Sequence, residues 1–144
     1  KGFSKDDFLT FHPGGKIGAT LIKIKDLMLT GTSIPLVEPD NSFFDVTRVM
    51  AEKKLGCAIV IDTTQKLIGI ITDGDLRRNI DKDLKTLKAK NLMTSLPISV
   101  ESNILASEAL AIMNSNSITI LPITSNNKVV GIIHIHDILK AGVV

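Results

Sequence analysis

Tryptophan and tyrosine are absent from this 144-residue chain, and cysteine occurs once, as Cys57. A single cysteine forms no internal disulfide, so the chain is not a disulfide scaffold and suits a reducing compartment. All five phenylalanines (Phe3, Phe8, Phe11, Phe43 and Phe44) fall in the first third, which leaves the rest of the core to Ile, Leu, Val, Ala and Met. No apolar run approaches the roughly 18 residues of a membrane span, and no secretory signal is recognisable. These features predict a cytoplasmic location. Charge of one sign is also lacking, since 17 Lys+Arg stand against 15 Asp+Glu, scattered along the chain. That excludes the basic footprint of a nucleic-acid binder. The first residue is Lys1 rather than Met, which suggests a piece of a longer protein.

What the chain does have is an internal repeat. Leu67-Ile-Gly-Ile-Ile-Thr-Asp-Gly-Asp-Leu76 lies over Val129-Val-Gly-Ile-Ile-His-Ile-His-Asp-Ile138. Gly131, Asp137 and Pro97 each follow Gly69, Asp75 and Pro35 by 62 positions, and Met113 follows Met50 by 63. The openings match at 65, with Asp26-Leu-Met28 answering Asn91-Leu-Met93. The change from 65 to 62 implies three extra residues in the first copy, most simply within Leu29–Ser33. Two copies of one unit are implied.

Each copy reads as short strand, helix, strand, turn, strand, helix. Phe43, Val46, Val49 and Met50 make one apolar helical face, and Ala106, Ala109, Ile112 and Met113 repeat it. Ser42 and Asp45 form an S-x-x-D start signal, and Gly56 is the natural stop. Hairpins follow, with strands at Ala58–Asp62 and Leu67–Thr72, then at Ile118–Thr124 and Val129–His134. Their β-branched content predicts strands buried on both faces. One such unit cannot cover both faces of its sheet, so the two should share a core and leave a cleft with two related pockets. The expected class is α/β (α+β), each copy a short mixed sheet with two packing helices, the pair pseudo-symmetric.

At this point the residues resemble a known family. Ile118-Thr-Ile-Leu-Pro-Ile123, a polar turn, Val129-Val-Gly-Ile-Ile133 and Asp137 look like the signature of the CBS domain, matched twice over about residues 26–140. The resemblance implies a tandem pair, with repeats at 22–88 and 89–144, that binds an adenine nucleotide or similar ligand in its cleft. A narrower resemblance rests on Phe11-His-Pro-Gly-Gly15, Ile17-Gly18, Thr72-Asp-Gly-Asp-Leu-Arg-Arg78, His134-Ile-His-Asp137 and Ala141-Gly-Val-Val144. These look like the C-terminal half of the arabinose-5-phosphate isomerase family of KpsF/GutQ type, in which a sugar-isomerase (SIS) domain precedes two CBS repeats. Residues 1–21 would then be the end of that catalytic domain, and Val144 the natural C-terminus. The family interconverts ribulose 5-phosphate and arabinose 5-phosphate on the route to Kdo, a lipopolysaccharide sugar. The resemblance implies an isomerase parent, a small-molecule effector such as CMP-Kdo or an adenylate, and a homodimer or higher homo-oligomer. No other cofactor and no metal are expected.

The candidate residues follow from chemistry and resemblance together. Thr72 should end a strand and Asp75 should lie in or just before the first turn of the next helix. A hydroxyl beside free N–H groups suits a phosphate, and a carboxylate can accept both hydroxyls of a ribose. The competing reading is that Asp73 or Asp75 merely caps the helix. Arg77 and Arg78 either pair with a phosphate or sugar carboxylate or belong to a solvated face. His134, His136 and Asp137 occupy the second copy's version, where imidazole replaces the hydroxyl and titrates near neutral pH. A metal reading of the two histidines lacks further ligands. Ile34 and Pro35 with Gly56, Cys57 and Ala58, and Leu96 and Pro97 with Ser117–Thr119, should line the base ends, unless the prolines simply mark strand edges. Cys57 reads as a small buried hydrophobe, and His12 as either a turn residue or the edge of the parent's isomerase site. Without the rest of the SIS domain the chain should be inert as an isomerase. Because Thr72 and His134 differ, one preferred site is expected, centred on the first copy.

Overall fold

The computed structural model describes residues 21–144. The first copy supplies β1 (Leu36–Val37), α1 (Phe43–Lys53), β2 (Cys57–Ile61), β3 (Leu67–Thr72) and α2 (Asp73–Arg78). A short α3 (Ala89–Leu92) and β4 (Thr94–Ser95) follow, then β5 (Val100–Glu101), α4 (Ala106–Ser115), β6 (Ile120–Ser125), β7 (Lys128–His134) and α5 (Ile135–Lys140). Helix α1 starts where the S-x-x-D signal places it. Ser42 Oγ accepts the Asp45 N–H at 3.0 Å, and Asp45 Oδ2 accepts the Ser42 N–H at 3.3 Å, so two end groups of the helix are satisfied reciprocally. That N–H, with the Arg48 guanidinium at 2.9 Å, holds the Asp45 carboxyl below the usual carboxylate range.

The stop differs from the expectation. Lys54, at φ 60, ends α1 with its N–H on the Met50 carbonyl, and Gly56 (φ 74) turns the chain into β2 two residues later. The left-handed cap is thus carried by a lysine, while the glycine serves the turn into the strand. Ser117, 63 positions after Lys54, repeats the left-handed turn at φ 54.

The hairpins form as expected, each with its register shift at the same place, between Val60 and Ile61 and between Ile123 and Thr124. In each copy the central strand also takes a parallel neighbour, β1 beside β2 and β5 beside β6. Strands β2 and β6 are buried along most of their length, whereas β3 alternates between buried and half-buried residues.

The opening segments cross over. Strand β4, which begins the second copy, pairs with β3 of the first, while Leu29 of the first copy bridges to Ile132 of β7. Ile24 is fully buried in the second copy's core, and Ala89 and Leu92 of α3 lie in the first copy's core. This exchange explains the repeat glycines. A side-chain carbon at Gly69 would stand 2.8 Å from Met93 Cγ, and one at Gly131 would stand 2.9 Å from Met28 Cγ. Each matched methionine therefore fills the space that the other copy's matched glycine leaves.

A third apolar cluster joins the two sheets. Ile34, Cys57, Ile59 and Ile132 form its buried part, with Ile70, Ile120 and Val129 packed against it. At the hairpin turns, the Leu67 N–H donates to the Asn127 carbonyl at 3.3 Å and the Val129 N–H to the Gln65 carbonyl at 3.1 Å. The Gly31–Ser33 turn, a single 3-10 turn, occupies the position of the three extra residues read from the repeat.

Candidate functional site

A cleft of about 450 Å³ opens between the copies, within the usual range of small-molecule sites. The first copy contributes Ile70 and Thr72 of β3. The second contributes Thr94, the Leu96–Ile98 segment, Ser117–Thr119 and, from β6, Ile120 and Pro122. All these residues are neutral. Four hydroxyls (Thr72, Thr94, Ser117 and Thr119) stand among apolar walls, an arrangement that suits a flat, weakly polar group hydrogen-bonded at its edges. A smaller hollow of about 340 Å³, with Lys66 and Asp62 on its rim, shares Leu96 and Pro97 with the cleft.

Thr72 sits where β3 passes into α2, and charge gathers behind it. The Thr72 N–H donates to Asp75 Oδ2 at 2.8 Å, and its hydroxyl donates to the same oxygen at 3.1 Å. The other Asp75 oxygen takes the Arg78 guanidinium. A side-chain carbon at Gly74 would lie 3.2 Å from Arg78 Nη1, 3.7 Å from Thr72 Oγ1 and 3.9 Å from Arg77 Nη2. Both guanidiniums and the hydroxyl therefore converge on one glycine, where backbone can approach an anion without hindrance. Asp75 itself is buried and occupied as a helix cap, and the cleft is lined by Thr72 rather than by Asp75. Asp75 thus takes the capping role, and of the T-x-x-D motif only Thr72 lines the cleft.

Among the expected base-end residues, Leu96, Pro97, Ser117, Ile118 and Thr119 line the cleft. Ile34, Pro35, Cys57 and Ala58 are buried in the packing of the first copy and of the sheet junction, and none of them lines the cleft. Burial, with a smaller contribution from the Asp73 carboxylate, pushes the Cys57 thiol up to about 12. Asp73 and Gly56 are exposed neighbours, with Asp73 Oδ2 at 3.4 Å from the position of a Gly56 side-chain carbon. His134 and His136 stack with ring centres 4.7 Å apart, and His134 Nδ1 accepts the His136 N–H at 3.1 Å. His134 thereby caps α5 itself, and Asp137 is half-buried beside it. Among the described residues, no three His, Cys, Asp or Glu side chains are grouped to hold a metal ion, and no helix is long and apolar enough to cross a membrane. His12 lies outside the described residues.

Sequence reasoning missed Ile70, Thr94, Ile98, Ile120 and Pro122. Ile70 shares a strand face with Thr72 at spacing two, as Pro122 does with Ile120, so period-two counting could have supplied Ile70. Thr94 reaches the cleft through the crossed-over β4, for which the local sequence gives no signal.

The two copies superpose in register but not in openness. Cys57 faces Thr72 across the first hairpin and Ile120 faces His134 across the second, so β2 answers β6 at an offset of 63 while β3 answers β7 at 62. The cleft residues Leu96, Ile120, Pro122 and Ile70 thus correspond to Ile34, Cys57, Ile59 and Ile132. Those four are the buried cluster at the sheet junction. Four residues of the open cleft thus have buried counterparts.

The model of the CBS domain matches residues 24–82 and 89–144. The chain is 44% identical over its whole length to the arabinose 5-phosphate isomerase KdsD of Yersinia pestis, and 40% identical to that of Escherichia coli K12. It is 51% identical over 99% of its length to protein RP505 of Rickettsia prowazekii. In each comparison it spans 45% of the relative. Among solved structures, CBSX2 in complex with AMP superposes with a TM-score of 0.73, at 24% identity, over 84% of this chain and 96% of that one. The CBS pair of MJ0100 in complex with 5-methylthioadenosine and S-adenosyl-L-methionine does so at 0.73 and 20% identity, over 82% of this chain and 93% of that one. The crossed-over α/β units and the twice-matched motif have one common explanation: the chain belongs to the CBS-domain family, as a tandem pair.

Proposed function

We propose that this chain is the regulatory ligand-binding module of an arabinose-5-phosphate isomerase and that its cleft takes a nucleotide or nucleotide sugar. The observation that carries the reading is the open cleft itself, neutral and hydroxyl-lined, with Thr72 in its wall and Gly74, Arg77 and Arg78 grouped beside that threonine. A base fits against Pro97, Ile118 and Pro122, with Ser117 and Thr119 at its edge. The phosphate then lies toward Thr72 and the two arginines, where charge-assisted bonds are strongest. CMP-Kdo, an acidic nucleotide sugar, presents both groups to this arrangement, and an adenylate presents the same phosphate. The KdsD relatives and the AMP complex of CBSX2 support the choice of ligand class. Ligand held across the two copies favours one relative placement of them and biases an attached sugar-isomerase domain.

Thermal-shift measurements with CMP-Kdo, CMP, AMP and ATP test this. A ligand at 100 times its dissociation constant stabilises the fold by about 2.7 kcal/mol, and Thr72→Val or Arg77→Ala reduces the shift. Stabilisation by none of the four would sink the proposal and leave a purely structural role. Stabilisation by AMP or ATP without CMP-Kdo would assign a general adenylate sensor instead.

A further inference from the structure

The burial of the cleft residues' counterparts goes with a difference in chain length. In the second copy Thr94–Ser95 leads directly into Leu96, which has φ 50 and stands 86% exposed at the mouth of the cleft. A leucine in the left-handed region is disfavoured by its own Cβ. In the first copy three more residues intervene. Gly31–Ser33 form a 3-10 turn, Gly31 taking φ 58, and Ile34 leaves it in extended geometry at φ −80 and ψ 127. Ile34 is only 6% exposed and packs in one cluster with Cys57, Ile59 and Ile132. The counterparts of those three residues line the open cleft. The volume in which a ligand would sit is thus taken by the chain's own apolar side chains.

We propose that Ile34, delivered by the Gly31–Ser33 turn, is a built-in plug that shuts the first-copy site, so that the chain takes one nucleotide-sized ligand rather than two. The count of one rests on the function proposed above; the plug does not. At the matching anion end His134 stands in the place of Thr72, with its Nδ1 accepting the His136 N–H. The Gly31–Ser33 turn therefore sets how many sites the module has, and its length is the specificity-determining feature.

Thiol accessibility reads the plug without any ligand, because Cys57 lies under it and is the chain's only cysteine. The wild-type chain is compared with Cys57→Ala/Ile120→Cys, which moves the thiol to the matching position of the open cleft. Under native conditions a water-soluble disulfide reagent modifies the moved thiol at least about tenfold faster than Cys57. Ile34→Ala, or deletion of Gly31–Ser33 if that substitution does not fold, speeds modification of Cys57 by a similar factor. Comparable rates for the two thiols, or an unchanged Cys57 rate in a folded plug variant, would overturn the proposal. CMP-Kdo and AMP at saturating concentration protect the moved thiol and leave the Cys57 rate unchanged. Protection of Cys57 would overturn the count of one. Protection of neither thiol would overturn the proposed function, while the rate contrast still decides the plug.

Discussion

At Cys57 the chemistry of a single side chain reports the packing around it. The thiol is buried beside the Asp73 carboxylate, and both effects disfavour the thiolate. In the unfolded chain it ionises near its ordinary value of 9.0, and in the folded chain only near about 12. Between those limits the unfolded state gives up a proton that the folded state keeps, so this contribution is present below pH 9 and lost as the pH rises toward 12. Urea midpoints for the wild type and Cys57→Ala, measured near about pH 8 and about pH 10.5, isolate it. The wild type should lose more stability between the two pH values than the variant, and equal losses would show that Cys57 ionises freely. The sequence already pointed to a small buried hydrophobe here, because no basic neighbour is near. It could not show which residues bury Cys57, since these include Ile34 and Ile132, far away along the chain.

Among the elements, the crossed-over openings hold the pair together. The methionine–glycine contacts make this measurable. Gly69→Ala forces a carbon against Met93, and overpacking of this kind costs about 1–3 kcal/mol. Gly131→Ala should cost more, because its added carbon also meets the Leu29 carbonyl oxygen at 3.0 Å, and backbone yields less than a methionine side chain. Denaturant unfolding of the single variants and of Gly69→Ala/Met93→Ala checks the pairing. The double variant should be more stable than the sum of the separate losses implies, and simple additivity would contradict the contact. Helix faces, hairpins and the α1 cap were legible in the sequence because each is a local pattern: a 3.6 period, a run of β-branched residues, a Ser42–Asp45 pair. The exchange was not. Leu29 and Ile132 pair across more than half the chain, and the repeat alone shows that two units match, not which opening joins which sheet.

For the molecule as a whole, the duplication builds two related sites and a three-residue difference closes one of them. The sequence supported one preferred site, on the strength of Thr72 against His134. It centred that site on the first copy, whereas most of the open cleft comes from the second, with Thr72 and Ile70 reaching in across the junction. The signal that moves the site is the offset change from 65 to 62, visible in the sequence as a number but without a direction until Ile34 is seen buried and Leu96 exposed.

Amide chemical-shift mapping of the 144-residue chain shows whether this cleft is the ligand site. The protein is labelled with nitrogen-15 and titrated in turn with CMP-Kdo and AMP. At least one of them should perturb Thr72, Gly74, Ser117 and Thr119 together and leave Cys57 and Ala58 in place. Perturbation centred on Gly56–Ala58 and His134, or none with either compound, would contradict that assignment.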